Sequence, residues 1–503
     1  MNSSRIVLVY PKQGMSGSLG RYMPLSLLYT AVEALKAGFS VEVVDIRLAP
    51  QRWTETLAAA LTPETLLVGV SVMTGTPIKS ATEISRWVKQ NYPSVPVVWG
   101  GPHATFNGQD ILANADVDFV VAGYGSRPLA QLALHLRDGA AGPSLASING
   151  LVFRQDGEIV CVPPENRFEV IDYRDIPYSL VEKDLARYGQ LDSSERIFPL
   201  YSVVGCPYQC AFCSSPAQYR LIPKKYEPLP IQGVVDHIEL VHRRYGATYI
   251  YFIDDDSFVD LAHVEAIIDE INRRGLKLKL GFRGARVNEI KKMSDAYLAK
   301  LAAAGTDILH IGAESGSPRM LELMRKNCTV EDIVAVNQKL ARHPEIIAAY
   351  NWIVGLPGET LADLRLTQQL MLRIITDHPN ALLFPPNKYR PLPGTELYEL
   401  ALKQGYRKPQ RLQEWVNVEV EGDTRSPWFS NEVTAAIRMM QVTTYFIDGK
   451  IFRVETGNTV KYRLIRCLAR LYQPLARLRM RQGWAFGLVE GRLFGWLVAW
   501  YRL

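Results

Sequence analysis

Three cysteines are the residues of this sequence whose types and spacing most directly indicate chemistry. Cys206, Cys210 and Cys213 form a C-x3-C-x2-C triplet, with Phe212 immediately before the last cysteine. Three thiolates this close together can bind three irons of a [4Fe–4S] cluster and leave the fourth iron open for a ligand from outside the protein. The alternatives are three buried structural cysteines or a zinc site. Zinc normally takes four ligands arranged in pairs, and no fourth Cys or His lies near the triplet in the sequence.

The other three cysteines are scattered along the chain, and we interpret Cys161, Cys328 and Cys467 as packing residues. Six cysteines of which three are clustered fit a reducing compartment better than a disulfide framework. The residues after Met1 run directly into a strand-like segment and do not resemble a signal peptide. These features predict a cytoplasmic protein.

The composition is that of a globular, multidomain protein. The chain has 503 residues, of which 48% are hydrophobic and 21% are charged, and this length suggests two or three domains. The formal net charge is +6. The segment from Lys461 to Leu503 contains nine Lys or Arg residues and one acid, Glu490, so the basic excess belongs to the end of the chain.

Residues 1–150 alternate strand-like and helix-like segments. Apolar runs such as Ile6–Tyr10 and Leu66–Val72 are continuous rather than alternating, which predicts a parallel, doubly wound, Rossmann-like sheet covered on both faces. Ligands of such sheets bind outside the carboxyl ends of the strands, and small residues there let a large flat ligand approach the backbone. The candidate contacts are Ser71, Thr74, Gly75, Gly100, Gly101, His103, Gly123 and Gly125.

A second α/β region follows a hairpin and linker at residues 151–194. Six strand-like segments separated by helical stretches predict a partial, open (βα)6 barrel over residues 195–400, and residues 401–503 are predicted to be mainly helical. Active sites of barrels lie at the C-terminal ends of the strands, and the cysteine triplet directly follows the first strand. The candidate strands are Phe198–Val204, Tyr249–Asp254, Leu280–Arg286, Ile308–Ala313, Tyr350–Val354 and Ala381–Phe384.

Charged residues lie at the ends of several predicted barrel strands. Asp255 and Asp256 end the second strand, where they either contact a ligand or cap the next helix. Arg286 ends the third strand and suits either a bidentate bond to a ligand carboxylate or an ion pair with one of the nearby Asp residues. Glu314, followed by Ser315, ends the fourth strand, and a buried Glu there needs a partner.

These segments together resemble the cobalamin-binding radical S-adenosylmethionine (SAM) enzymes. The resemblance rests on the triplet and on three further segments, and with the N-terminal domain it covers about four-fifths of the chain. The segments are G-A-E-S-G-S at residues 312–317, G-L-P-G-E-T at residues 355–360 and P-G-T-E-L-Y at residues 393–398. The second of them also predicts a tight strand-to-helix turn, with Glu359 in the first helical turn.

The resemblance implies three cofactors. A [4Fe–4S] cluster is bound by the triplet, SAM chelates its open iron, and cobalamin lies between the N-terminal sheet and the barrel mouth, on the strand-end residues of the first domain. An electron from the cluster cleaves SAM to a 5′-deoxyadenosyl radical, so a low-potential flavodoxin or ferredoxin is the implied electron donor. The residues implied to contact SAM are Asp255, Asp256, Arg286, Glu314, Ser315 and Gly355.

Two departures from the family pattern concern cobalamin. Modules that coordinate cobalt from below carry a D-x-H-x-x-G loop, whereas this chain has Asp45-Ile46-Arg47 there, without the His or the Gly. The expected state is a corrinoid without a protein ligand to cobalt, and a single His such as His103 is more typical of a loop residue than of a ligand. Residues 123–126 have the sequence Gly-Tyr-Gly-Ser where the family often has G-E-G-E.

The function implied by the resemblance is methyl transfer from methylcobalamin to an unactivated carbon of a small-molecule or lipid-like substrate. One alternative is a cyclase or oxidative rearrangement without net methylation, as in the anaerobic magnesium-porphyrin cyclases, acting on a hydrophobic tetrapyrrole or lipid. Another is a corrinoid-binding sensor without enzymatic activity, against which the intact cysteine triplet argues.

The end of the chain mixes arginines with large apolar residues. Arg477, Arg479 and Arg481 precede a Trp- and Phe-rich stretch that Glu490 and Arg492 interrupt, so it is too short for a clean membrane span. A basic, Trp-rich amphipathic helix fits peripheral contact with the inner face of a membrane. The alternative is a helix packed over the barrel with solvated arginines or an anionic substrate. Nothing resembles a nucleic-acid-binding motif.

Overall fold

The computed structural model describes residues 4–13, 20–114, 116–190, 195–418, 426–450 and 460–485. The chain divides into two compact units. Unit 1 comprises Met1–Gly189, Ser214–Lys225 and Arg407–Thr424, and unit 2 comprises Gln190–Cys213, Tyr226–Tyr406 and Arg425–Leu503.

Unit 1 is built on a seven-stranded sheet with the order β3-β1-β4-β5-β6-β7-β8. The first five strands in this order are parallel, and β7 and β8 extend the edge as an antiparallel hairpin. The predicted doubly wound sheet is confirmed. The strands of this part of the chain are β1 (Arg5–Tyr10), β2 (Gly20–Arg21), β3 (Ser40–Asp45), β4 (Thr65–Ser71), β5 (Val97–Gly100), β6 (Phe119–Val121), β7 (Leu151–Gln155) and β8 (Glu158–Cys161).

Consecutive residues of β1 and β4 are buried, which requires apolar cover on both faces of the sheet. Trp99 at the centre is fully buried and donates its indole N–H to Ser85 at 2.8 Å. Leu412 and Trp415, from a 3-10 turn much later in the sequence, join the same core. The helices of unit 1 are α1 (Leu25–Lys36), α2 (Trp53–Ala60), α3 (Thr76–Asn91), α4 (Pro102–Leu112), α5 (Ser126–Asp138) and α6 (Ser214–Gln218).

Unit 2 contains a six-stranded parallel sheet with the order β10-β13-β14-β15-β16-β17, and the short β18 pairs with the end of β16. Because β10 and β17 are the two ends of this order, the sheet is an open, partial barrel, as predicted. The remaining strands are β9 (Gly189–Gln190), β10 (Ile197–Leu200), β11 (Val203–Gly205), β12 (Tyr226–Pro228), β13 (Tyr249–Phe252), β14 (Lys279–Arg286), β15 (Thr306–Glu314), β16 (Ile347–Val354), β17 (Ala381–Leu383) and β18 (Asn387–Lys388).

The helices of unit 2 follow the strands and continue into the mainly helical C-terminal region that the sequence predicted. Among the helices that the structure describes, none is both long and apolar enough to cross a membrane. The predicted tail residues Phe486, Phe494, Trp496 and Trp500 lie outside the described residues. The helices are α7 (Ile231–Tyr245), α8 (Leu261–Arg273), α9 (Val287–Lys292), α10 (Asp295–Ala303), α11 (Pro318–Leu323), α12 (Val330–Leu340), α13 (Leu361–Asp377), α14 (Glu396–Lys403), α15 (Asn431–Thr444) and α16 (Val460–Gln482).

Two sequence-based expectations are wrong in detail. The segment Phe198–Val204 is not one strand, because the chain turns at Ser202 and then forms β11, which pairs antiparallel with β12. The cysteines interpreted as packing residues are not in the core: Cys161 and Cys467 are exposed and Cys328 is half-buried. Isolated cysteines carry no periodic signal, so the sequence alone does not distinguish a buried position from an exposed one.

Candidate active site

The loop that carries the cysteine triplet follows β11 in unit 2 and is tied down at its centre. Ala211 donates its N–H to the carbonyl of Met324 at 3.0 Å and accepts from the N–H of Leu397 at 3.0 Å. Cys210 is buried, whereas Cys206 and Cys213 are half-buried. In the described part of the chain no three Cys, His, Asp or Glu side chains are grouped as metal ligands, so the role of the triplet as cluster ligands stays a prediction.

A buried carboxylate holds the start of this loop. Asp254, at the end of β13, accepts hydrogen bonds from the N–H and hydroxyl of Ser202 at 2.8 and 2.6 Å, and from the N–H of Val203 at 3.2 Å. The hydroxyl of Ser257 is a further donor at 2.8 Å. The first Asp of the three-Asp run is therefore a structural clamp between two strands, which the sequence did not single out.

Arg286 lies directly beside the triplet. Its guanidinium donates to Cys210 Sγ at 2.9 Å and to the carbonyl of Lys326 at 2.7 Å, and it stacks over the Tyr208 ring at 3.9 Å. The acid paired with it is Glu289, at 4.0 Å from its Nε, and not one of the nearby Asp residues. The guanidinium therefore supplies positive charge where cluster thiolates would need it.

Three buried polar atoms near Arg286 have no hydrogen-bond partner among the described residues. They are Oδ2 of Asp256, Oε2 of Glu289 and Nε of Arg286 itself. Burial, together with the Glu289 carboxylate, raises the pKa of Asp256 to about 8. The other oxygen of Glu289 accepts from the Tyr208 hydroxyl. Buried polar groups normally find partners, so this cluster has unused capacity for both a cationic and an anionic group of a ligand.

The two candidate aspartates differ in environment. Asp256 is 1% exposed, whereas Asp255 is exposed. Neither caps the next helix, because Asp260 is the N-cap of α8 and accepts from the N–H groups of Ala262 and His263. The capping alternative for the run of acids is therefore wrong.

Glu314 has a partner within the protein. Its Oε1 accepts from Lys326 Nζ at 2.8 Å, and both side chains are buried. Burial acts to lower the pKa of Lys326, but the Glu314 carboxylate more than offsets it and the pKa is raised. Glu314 also has a positive φ of 64°, which is rare for a residue with a side chain. Ser315 lies in the core, with its hydroxyl 3.2 Å from that of Thr367.

Gly355 lies in the predicted strand-to-helix turn and needs its positive φ of 85°. Its N–H donates to the Glu359 carboxylate, and a Cβ there would lie 3.0 Å from the Phe429 ring. Glu359 precedes the helix instead of lying in its first turn, since Thr360 is the N-cap of α13. Burial raises the pKa of Glu359 to about 7. Gly355 is thus required by the backbone conformation of the turn and by the Phe429 ring that packs against it.

Sequence reasoning missed Tyr208, Glu289 and Lys326. A signal existed for two of them: Tyr208 lies within the triplet, and Glu289 lies three residues after Arg286, a spacing that allows contact on one helical turn. Nothing in the sequence marked Lys326, which follows α11 and meets Glu314 only through the turn of the chain between them.

The donor set in unit 2 fits a cluster with SAM. Three thiols share one loop, and the cations of Arg286 and Lys326 adjoin it. The oxygens of Asp256 and Glu289 that accept no hydrogen bond from the described residues match an ammonium group. Burial raises the pKa of the Cys206 thiol to about 12, so binding of iron, which requires the thiolate, would release a proton there.

In unit 1 the candidate cobalamin contacts lie at the carboxyl ends of β4, β5 and β6. Most are half-buried and reachable from outside, but Gly75 and His103 are buried. A Cβ on Gly101, whose φ is 95°, would lie 3.0 Å from the backbone N and O of Val72. Gly123, with a φ of 83°, donates its N–H to Thr105 Oγ1 at 3.1 Å. These glycines let neighbouring loops approach each other closely.

His103 is a helical core residue, which corrects the expectation of a loop position. It lies in the first turn of α4, with Nδ1 3.1 Å from Thr74 Oγ1 and its ring edge-on to Trp415 at 5.4 Å. Burial lowers its pKa to about 4. At the position of the missing metal-ligand loop, Asp45 is bonded to Arg47 at 2.6 Å. The accessible strand ends therefore fit a flat ligand held by backbone, with no side chain aimed outward as a cobalt ligand among the candidate contacts.

Two family profiles match the chain in the same order as the two predicted folds. The B12 binding domain matches residues 17–133, and the radical SAM superfamily matches residues 200–371. The chain belongs to the cobalamin-binding radical SAM enzymes. The cofactors of this enzyme are therefore a [4Fe–4S] cluster, SAM and cobalamin.

Among known proteins, the enzyme is 24% identical over 489 residues to an uncharacterised methyltransferase of Pyrococcus horikoshii, which covers 94% of this chain and 99% of that protein. It is 24% identical over 403 residues to the anaerobic magnesium-protoporphyrin IX monomethyl ester cyclase of Rubrivivax gelatinosus, which covers 78% of this chain and 69% of that protein.

Among solved structures, the cobalamin-dependent SAM radical enzyme OxsB with aqua-cobalamin bound matches with a TM-score of 0.70 and 15% identity, over 95% of this chain and 72% of that one. The radical SAM methyltransferase TsrM of Kitasatospora setae, with tryptophan and a SAM analogue bound, matches with a TM-score of 0.62 and 22% identity, over 81% and 78% of the two chains. At these identities the matches show the fold alone.

Proposed function

We propose that this enzyme is a C-methyltransferase that transfers a methyl group to an unactivated carbon of a small molecule. The observation that carries the proposal is the match to a methyltransferase over 94% of this chain and 99% of the relative. The buried polar atoms of Asp256, Glu289 and Arg286 that make no hydrogen bond to any described residue support SAM binding beside the triplet. When bound, the cluster and SAM would supply the radical that activates the carbon, and cobalamin would carry the methyl group.

We propose that the protein's own residues hold and orient these groups. Cys206, Cys210 and Cys213 would bind the cluster, with Arg286 offsetting the charge of the thiolates. Asp256 would accept a hydrogen bond from the SAM ammonium, and Asp255, Glu314, Ser315 and Gly355 would lie in the shell around SAM. Glu314 is already paired with Lys326. Its contribution would therefore be to hold the Lys326 ammonium beside the cysteine loop.

For cobalamin, we propose that the strand ends of the domain at residues 1–150 contact the corrinoid mainly through backbone. Ser71, Thr74, Gly100, Gly101, Gly123 and Gly125 are the half-buried members of this set, and Gly75 and His103 would act from beneath them. A low-potential flavodoxin or ferredoxin would supply the electron that reduces the cluster.

A second candidate function is cyclisation or oxidative rearrangement without net methylation. The match to the Rubrivivax gelatinosus cyclase favours it, although that match covers a smaller share of both chains. The mass of the product distinguishes the two candidates, since only methyl transfer adds one methyl group to the substrate.

The central test measures iron, cobalt and 5′-deoxyadenosine in protein purified anaerobically from cells supplied with cobalamin. About four irons and one cobalt per chain are expected, and Cys210→Ala should abolish 5′-deoxyadenosine formation because the cluster loses a ligand. Cys161→Ala is the matched control, since Cys161 is exposed and belongs to unit 1. Undiminished 5′-deoxyadenosine formation in Cys210→Ala would exclude the mechanism, and four irons without cobalt would remove cobalamin from it.

We also propose peripheral contact with an anionic membrane surface through α16. This helix repeats Arg-Leu every seven residues, at Arg463, Arg470 and Arg477. It packs against α13 and α15, with Ala469 and Ala476 buried. Its outer face carries a row of leucines with 40–78% exposure: Leu468, Leu471, Leu475 and Leu478.

The charge of this face favours lipid over a second copy of the chain. The helix contains no acid, so two copies of the face would bring like charges together, whereas anionic head groups attract each Arg by about 1 kcal/mol. Arg479 does not contribute, because it is buried and bonded to the Trp484 carbonyl at 2.9 Å.

Sedimentation with phosphatidylglycerol vesicles tests the membrane contact. The double variant Leu471→Glu/Leu475→Glu should lose most vesicle binding, because two charges replace exposed apolar groups. Leu366→Glu is the control, since Leu366 is 41% exposed on α13. Binding that persists in the double variant, or equal binding to neutral phosphatidylcholine vesicles, would exclude this surface.

A further inference from the structure

The inside of the open barrel in unit 2 carries an apolar floor near the amino ends of its strands. Five buried residues, each from a different strand, form one cluster there, and Tyr445 packs against it from the C-terminal region. The floor residues are Ile197, Tyr249, Ile308, Ala349 and Leu382. Because side chains two apart on a strand share a face, the next inward residues stand one layer closer to the carboxyl ends and the cysteine loop.

That next layer is aromatic. The rings of His310 and Phe384 stack, with centroids 5.4 Å apart and an angle of 15° between their planes. The ring of Tyr251 contacts the His310 ring edge-on, with centroids 5.9 Å apart. All three side chains are half-buried, so each keeps some accessible surface. Burial and the nearby Arg283 lower the pKa of His310 to about 4, so at neutral pH this ring is an uncharged aromatic surface.

Arg283 adds one cation to this layer. On β14 it follows Phe282, which stacks on Phe252 at 4.7 Å on the other face of the sheet, so Arg283 faces the barrel interior with Gly281. The register pairs Phe282 with Leu309 and shifts after it. Arg283 lies close enough to His310 for its charge to act, together with burial, on the pKa of that ring. Arg283 is exposed, and no hydrogen bond or ion pair joins its guanidinium to another described residue.

The two arginines of the strand therefore differ in state. Arg286 is buried, and its guanidinium is bonded to Cys210 and to the carbonyl of Lys326. Arg283, three residues earlier, has the same charge but no hydrogen-bond or ion-pair partner among the described residues. A guanidinium beside aromatic rings suits a ligand that has both a carboxylate and a flat unsaturated surface. The guanidinium can form two hydrogen bonds to the carboxylate, and the rings can stack on the flat surface.

We propose that the layer formed by Tyr251, Arg283, His310 and Phe384 is the substrate site, and that it selects planar, unsaturated molecules bearing a carboxylate. This inference rests on the proposed function, because it names the substrate class for the same barrel. The rings bind the flat part, and Arg283 bonds the carboxylate and sets which carbon faces the cysteine loop.

Binding of a matched pair of probes tests the selection. 2-Naphthoate and 2-naphthamide have the same shape and differ in charge, and each is titrated into the cluster- and SAM-loaded enzyme by calorimetry. The Kd of 2-naphthoate should be about tenfold lower than that of 2-naphthamide. This preference should vanish in Arg283→Gln and persist in part in Arg283→Lys, while Phe384→Leu should weaken both probes equally.

The control variant is Arg373→Gln, since Arg373 is an exposed residue of α13 bonded to Asp377, and it should keep the full preference. Equal affinities in the wild-type enzyme, or a preference that survives in Arg283→Gln, would overturn the inference. This outcome is separate from that of the proposed function. Probe selectivity without any methylated product would exclude methyl transfer and keep this site. Methylation of a neutral, non-planar substrate would support methyl transfer and overturn this site.

Discussion

The strand ends of the two units differ in the groups that line them. In unit 2 the strand ends carry buried charges: Arg286 is bonded to Cys210, Lys326 to Glu314, and Oδ2 of Asp256 accepts no hydrogen bond from any described residue. In unit 1 the strand ends are lined mainly by backbone, because glycines with positive φ let neighbouring loops pack closely. Two parallel sheets of one chain thus differ at their strand ends: buried charges suit a small zwitterion, and closely packed glycine loops suit a large flat ligand.

The largest expected effect concerns the charged edge. Lys326→Met leaves the Glu314 carboxylate buried without a counter-charge, so we expect the free energy of unfolding to fall by about 3–5 kcal/mol, measured by urea denaturation. The double variant Glu314→Gln/Lys326→Met removes both charges and should regain most of the loss. A loss below about 1 kcal/mol in Lys326→Met would show that this edge does not depend on a buried ion pair.

The next effect concerns pH at the edge of unit 1. The pKa of His103 is lowered by burial from its ordinary 6.5 to about 4, so between these values the unfolded chain binds a proton that the folded chain does not. His103 therefore contributes full stability above about pH 6.5 and loses it as pH falls toward 4, by at most about 3 kcal/mol. His103→Gln should flatten the fall in unfolding free energy between pH 7 and 5; an unchanged slope would assign that fall to other histidines.

The smallest expected effect concerns the backbone of the Gly101 loop in unit 1. Gly101→Ala adds a Cβ 3.0 Å from the backbone of Val72 at a φ of 95°, which should cost about 1–3 kcal/mol and lower the cobalt content of purified protein. Gly38→Ala is the control, because Gly38 has a similar φ of 84° but open space around its Cβ position. Equal cobalt content in the two variants would show that the shape of the Gly101 loop does not matter for cobalamin.

The parts of the fold that sequence reasoning predicted are those with a local signal. Continuous apolar runs such as Leu66–Val72 predicted buried parallel strands, and Asp156-Gly157 predicted the hairpin, whose turn residues have φ of 50° and 86°. The break at Ser202 was missed, because it depends on the Asp254 carboxylate more than 50 residues later in the chain.

The candidate site was predictable only where the residues form a motif. The triplet, Arg286 and Glu314 were found in the sequence. Lys326 was not, because its partner Glu314 lies on another segment, and Glu289 was missed although its spacing from Arg286 allows contact. The sequence likewise named His103 but not Trp415, which packs on it from a turn more than 300 residues away.

The sequence by itself predicted the two α/β folds, because apolar periodicity is a local property of the chain, and the resemblance of its short motifs implied the family and the cofactor set. Only the tertiary structure decided which charges are already paired and which buried oxygens accept no hydrogen bond from the described residues. It also decided that Arg283 faces the aromatic layer while Arg286 is bonded to Cys210. These properties depend on distance and burial, and both arise only when strands that are far apart in the sequence are brought side by side.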